Sequence, residues 1–180
     1  GAKTPDRAGD ERDFARIFAA AGLCWAVGWW WAAFEFEIAA HAGVYGLGAR
    51  IGLAALTALG LLAIGGRWRC ASARVIALAL LPALCLFAAR ALQELEHPAQ
   101  ALGWLAWPAA LATLFLVLRK NEDGPAESVL PGSHGLSLWL ATGLLTWQTW
   151  WWFARLGDPG SAWPILGWAI APLVVLGTLT

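Results

Sequence analysis

Glu37 and His41 stand four residues apart, and Arg90, Glu94 and His97 follow one another at i, i+4 and i+7. On a continuing helix each set shares one face. A carboxylate beside an imidazole can hold a divalent cation or pass a proton, because the first is a hard anionic donor and the second titrates near neutrality. The same residues also read as interface side chains, with an ordinary ion pair between Arg90 and Glu94 that contributes little when exposed. Glu-x-x-x-His is a loose spacing and no tight ligand motif surrounds either pair, so neither a metal nor another cofactor is expected.

Arg50 lies inside an otherwise uncharged stretch, where a cation is expensive unless it reaches the interface or finds an acid. Glu35, at matched depth across one hairpin, is the expected partner; a contact to a substrate phosphate is the alternative. Gly48 and Gly52 form a Gly-x-x-x-Gly around it, a pattern that permits close helix approach. Of the 14 tryptophans, Trp150, Trp151 and Trp152 are consecutive and are followed by Arg155. Indole faces can stack on sugar rings or headgroups, or simply anchor the chain at a bilayer surface. No Gly-x-Ser-x-Gly, phosphate-binding loop, His-Glu-x-x-His or dinucleotide fingerprint occurs, and no catalytic residue is assigned.

The elements that must position these residues follow from composition. Of 180 residues, 59% are hydrophobic and 13% charged, with a mean hydropathy of +0.60. Such a chain has too little polar surface for a water-soluble globule. Its 12 basic and 12 acidic residues leave no cationic excess for nucleic acid, which is excluded as a partner. Uncharged runs at 17–34, 51–66, 75–89, 99–118, 135–154 and 159–180 approach the ~20 residues that cross a bilayer as a helix. They lack the period-two alternation of barrel strands. The expected fold is an all-α polytopic transmembrane bundle of about six helices. Residues 1–13 read as a solvated tail, 14–118 as a four-helix part, 119–134 as a cytoplasmic loop and 135–180 as a truncated helical hairpin. Pro82, Pro108 and Pro172 fall inside spans and should bend them, whereas Pro164 suits a helix start.

Cations alternate unequally between the two sides. Lys3, Arg7, Arg12, Arg16, Arg67, Arg69, Arg74, Arg119 and Lys120 stand on one, against Arg50, Arg90 and Arg155 on the other. The positive-inside rule then places the N-terminus in the cytoplasm, and ten Arg against two Lys, with abundant Ala, Gly and Trp, suggest a GC-rich bacterial source and so a bacterial inner membrane. On this topology Trp29–Trp31, Trp104, Trp107, Trp147, Trp150–Trp152, Trp163 and Trp168 gather toward the outer side, an asymmetry that an aromatic belt at both interfaces does not explain. Cys24, Cys70 and Cys85 are scattered and suggest no disulfide framework. The chain has no Met and stops at Thr180 within an apolar run, and so reads as a piece of a longer membrane polypeptide.

The stretch from Arg67 to Lys120, RWRCASARVIALALLPALCLFAARALQELEHPAQALGWLAWPAALATLFLVLRK, resembles part of a bacterial family of polytopic membrane proteins known as domain of unknown function 2339. The segment from His134 to Pro172, opening His-Gly-Leu-Ser-Leu-Trp-Leu and reaching Ser-Ala-Trp-Pro, is similar to it as well. The resemblance implies a much longer protein with tandem membrane helices and transfers no catalytic residues. Three functions are compatible with this reading. The first is a non-catalytic scaffold or assembly component of the cell envelope. A transporter or lipid-linked carbohydrate handler is the second, and a membrane-embedded transferase or hydrolase the third. The partners would be membrane lipids, the rest of the polypeptide and an envelope carbohydrate or lipid-linked ligand. The candidate site is the outer interface: Arg50, Arg90, Glu94, His97, Glu37, His41, Trp150, Trp151, Trp152 and Arg155.

Overall fold

The computed structural model describes residues 7–122, 129–156 and 162–179. Among these, all regular structure is helical: α1 (Arg7–His41), α2 (Gly46–Arg67), α3 (Ala71–Ala77), α4 (Leu80–Glu94), α5 (Gly103–Asn121), α6 (Leu130–Leu156) and α7 (Trp163–Leu179). A short 3-10 turn, Gly43–Tyr45, joins α1 to α2. Three helical segments, Ile17–His41, Gly43–Arg67 and Ala71–Glu94, are long and apolar enough to cross a membrane. Trp163–Gly177 is apolar but shorter.

Several boundaries differ from those read in the sequence. Residues 1–6 of the expected tail lie outside the described residues, and α1 begins at Arg7, so Arg7 to Asp13 extend the helix. Charged residues mixed with Ala are good helix formers, and polarity alone does not stop a helix. The expected loop 119–134 is shortened from both sides by α5 and α6, with Pro131 in the first turn of α6, where its missing N–H breaks no bond. Residues 123–128 of that loop lie outside the described residues. The third span is broken between Ala77 and Leu80. Pro82 has no N–H for the Leu78 carbonyl, which instead accepts from Leu81 at 3.2 Å. Pro164 is the second residue of α7, and Pro108 and Pro172 lie inside α5 and α7.

α2 is the central element. Its buried Ala54, Ala55 and Ala58 face α3, α4 and α5, and the core continues through Ala73, Ala77, Leu84, Ala110, Leu114 and Val117. Small residues at this seam matter because lipid tails are as apolar as Leu, so helices in a bilayer gain from close approach rather than from leaving water. α1 packs on this core through Leu23, Val27 and Trp31, with Trp31 stacked on Phe87 of α4 at 6.3 Å between ring centroids. The α6–α7 hairpin is tight because Gly167 has no side chain; a Cβ there would stand 2.7 Å from the Trp150 Cα.

Candidate functional site at the tryptophan-rich end

One end of the bundle is built from the α1–α2 turn, the connection between α4 and α5, and the last turns of α6. The α4–α5 connection takes its path from local chemistry. α4 stops at Glu94 and Leu95 is extended, ahead of a His97-Pro98 pair whose proline disfavours a helical His97. Ala101 and Leu102 then adopt positive φ of 48° and 69°. Two glycines seat this strained return. A Cβ on Gly103 would stand 1.8 Å from the Pro98 carbonyl oxygen, and one on Gly48 would stand 2.8 Å from that of Ala101.

Arg50 and Glu35 form the ion pair expected across the first hairpin. Arg50 Nε donates to both carboxylate oxygens, at 3.0 and 2.8 Å. Arg50 is mostly covered and Glu35 about half exposed. A fork bound to both oxygens fixes direction as well as charge. Arg90 Nε donates to Glu94 Oε1 at 2.6 Å along α4, and this second pair lies within electrostatic range of the first. Four charges thus alternate in sign between three helices.

His97 departs from the sequence expectation. Because α4 ends three residues earlier, it cannot share a face with Arg90 and Glu94. It turns instead to α6, its ring 3.8 Å from that of Trp151. Gln148 Oε1 accepts from the Ala99 backbone N–H at 3.1 Å and stands 3.3 Å from His97 Nδ1. An atom that accepts from a backbone N–H must be the amide oxygen, so Nδ1 is the protonated ring nitrogen at this contact.

Glu96 completes the arrangement. Its backbone carbonyl accepts from Trp147 Nε1 at 3.2 Å, and its carboxylate accepts from Arg155 Nη2 at 2.9 Å. The Arg155 guanidinium carbon lies 4.0 Å over the Trp151 ring, a cation–π contact. Trp152 meets Trp151 edge-on at 5.3 Å. Trp150 faces elsewhere and lines a cleft of about 670 Å³ between α4, α6 and α7, with Leu92, Trp139, Leu144, Trp147 and Trp168. The three consecutive indoles therefore do not form one platform, since successive helical residues diverge by ~100°.

Glu37 and His41 are exposed and, among the described residues, pair with each other, with 3.4 Å between Oε2 and Nδ1. Among the described residues no three His, Cys, Asp or Glu side chains gather where a metal ion could be held. Sequence reasoning missed Glu96 and Gln148. The His97-Pro98 pair announces the end of α4 and so could have taken His97 off the helix face; nothing in the spacing announces Gln148, 51 residues away. Neither a protein family, a curated protein nor a solved structure matches this chain, and its own geometry carries the functional argument.

Proposed function

We propose that this chain is a non-catalytic scaffold or assembly segment of a bacterial cell envelope, a member of the polytopic family it resembles, with six membrane-crossing helices and a cytoplasmic N-terminus. One observation carries the reading: at the tryptophan-rich end, each described carboxylate, imidazole and guanidinium is engaged by another group of the same chain. Glu96, His97 and Gln148 tie the α4–α5 connection to α6, and Arg50 ties α2 to α1. A reacting residue must be free to meet its substrate with its base or acid aligned. Here Arg50, Glu96, His97 and Arg155 close connections and tie helices together, while Arg90–Glu94 and Glu37–His41 pair within one helix.

A second reading, a handler of lipid-linked carbohydrate or anionic lipid, rests on the tryptophan-lined cleft beside α6. Native mass spectrometry with extracted envelope lipids separates the two. Under the scaffold reading, replacement of Trp150, Trp151 and Trp152 by Phe leaves lipid retention unchanged, because Phe keeps most of the apolar area. Selective loss of one lipid class overturns it in favour of the second reading, on the scale of ~1–2 kcal/mol for an aromatic contact with its hydrogen bond.

A further inference from the structure

The opposite end of the bundle gathers cations that form no ion pair among the described residues. α2 ends at Arg67, Arg69 occupies the turn into α3, Arg74 lies one turn inside α3, and α5 ends with Arg119 and Lys120. Asn121 joins the end of α5 to α3: its side-chain amide donates to the Arg74 carbonyl at 3.3 Å and, within α5, to the Val117 carbonyl at 2.8 Å. Among the described residues Glu122 is the carboxylate nearest in sequence to the end of α5, and it faces His134 at 3.9 Å. None of the five cations has an ion pair among the described residues.

Two of these cations are placed rather than merely present. Gly65 leaves the space that the Arg74 stem fills; a Cβ there would come 2.6 Å from Arg74 Cγ. Among the described residues, Arg74 Nε is buried with no hydrogen-bond partner, as is Asn121 Oδ1. A buried guanidinium donor without a partner is unfavourable. Arg69 holds a positive φ of 51° at a helix end where Gly is the favoured residue. An arginine stands there against that preference. Trp68, between Arg67 and Arg69, is exposed, as an interfacial anchor would be.

We propose that this end binds the phosphate of an anionic phospholipid, with Arg74 as the specific ligand and Arg67, Arg69, Arg119 and Lys120 as its electrostatic surround. Lipid is the favoured source because the cations stand where two bilayer-length segments, Gly43–Arg67 and Ala71–Glu94, begin or end, at headgroup depth if those segments cross a membrane. The guanidinium fork matches two phosphate oxygens, which an ammonium cannot do. Cations at the ends of α2 and α5 would also offset the helix dipoles, but that role needs no lipid.

The test uses the whole chain in detergent, with native mass spectrometry of bound phosphatidylglycerol against phosphatidylcholine. Wild type should retain phosphatidylglycerol preferentially. Arg74→Gln, which keeps most of the stem against Gly65, should cut that preference about fivefold, the equivalent of ~1 kcal/mol for a cation at a membrane surface. Arg74→Lys should restore it only in part, and Lys120→Gln should reduce it less than Arg74→Gln does. The Arg67→Gln/Arg69→Gln double variant leaves the Arg74 packing untouched and should also lower it. Equal losses at Arg74 and Lys120 would mean a diffuse field and overturn the site. The absence of preference in wild type would overturn it too. Complete displacement of phosphatidylglycerol by millimolar inorganic phosphate would reassign the site to a soluble anion.

Discussion

Arg50 is a charge that the apolar part of the chain tolerates because Glu35 meets it with both carboxylate oxygens. Removing either partner leaves the other unpaired in a mostly apolar setting, which is more damaging than losing both. Glu35→Gln is expected to lower the thermal midpoint in detergent by the equivalent of about 1–3 kcal/mol. Arg50→Gln in that background should add no further loss, since the interaction is already gone. Strictly additive losses in the double-mutant cycle would show that the two side chains act independently. At the same scale, Gln148→Leu should loosen the α4–α5 connection by releasing the Ala99 N–H and His97 together. Faster hydrogen exchange at Ala99, with the exchange of α2 unchanged, would report that release.

Glycines show how packing between elements differs from what a motif suggests. Gly48 and Gly52 match a helix-dimer pattern in the sequence, yet only Gly48 is crowded, and by the α4–α5 connection rather than by another helix; nothing lies within 4 Å of a Cβ on Gly52. Gly52→Ala should therefore raise stability by about 0.5–1 kcal/mol, the helix-propensity difference. Gly48→Ala should lower it by about 1–3 kcal/mol through overpacking. Equal effects of the two in thermal melts would restore the helix-dimer reading. The helices themselves were legible because uncharged runs and their flanking arginines are local signals. The Arg50–Glu35 pair was legible for a related reason: a cation inside an apolar run needs an acid at the same depth in the adjoining helix. His97 was misplaced because its position depends on where α4 stops, and Glu96 and Gln148 went unseen because their contacts join segments distant in sequence. The cluster around Trp151 is a product of tertiary packing, which no periodicity encodes.

At the scale of the whole molecule, the extent of α5 and α6 relative to α2 bears on how many helices cross a membrane. α5 lies beside α2 along its length, from Gly48 against the Ala101 carbonyl at one end to the Gly65–Arg74–Asn121 contacts at the other. If α2 crosses a bilayer, α5 is carried across with it. α6 is held at the tryptophan-rich end by Trp147 and Gln148 and enters the core at the other through Leu130, so it has the same extent. α7 follows through the close contact of Gly167 with Trp150. Hydropathy ranks α5 and α6 lower because Arg119 and Lys120 close the first and Trp, Thr and Gln dilute the second, although indole is at home near headgroups. Single cysteines at Val44, Glu122 and Ala162, in a background lacking Cys24, Cys70 and Cys85, test this in intact cells with an impermeant thiol reagent. Six spans with a cytoplasmic N-terminus make Val44→Cys and Ala162→Cys reactive from outside and Glu122→Cys protected. Labelling at all three would leave α5 on the outer surface and reduce the crossing segments to the three most apolar. The reverse pattern, with only Glu122→Cys reactive, would keep six spans but invert the chain, and with it the assignment of the tryptophan-rich end to the outside.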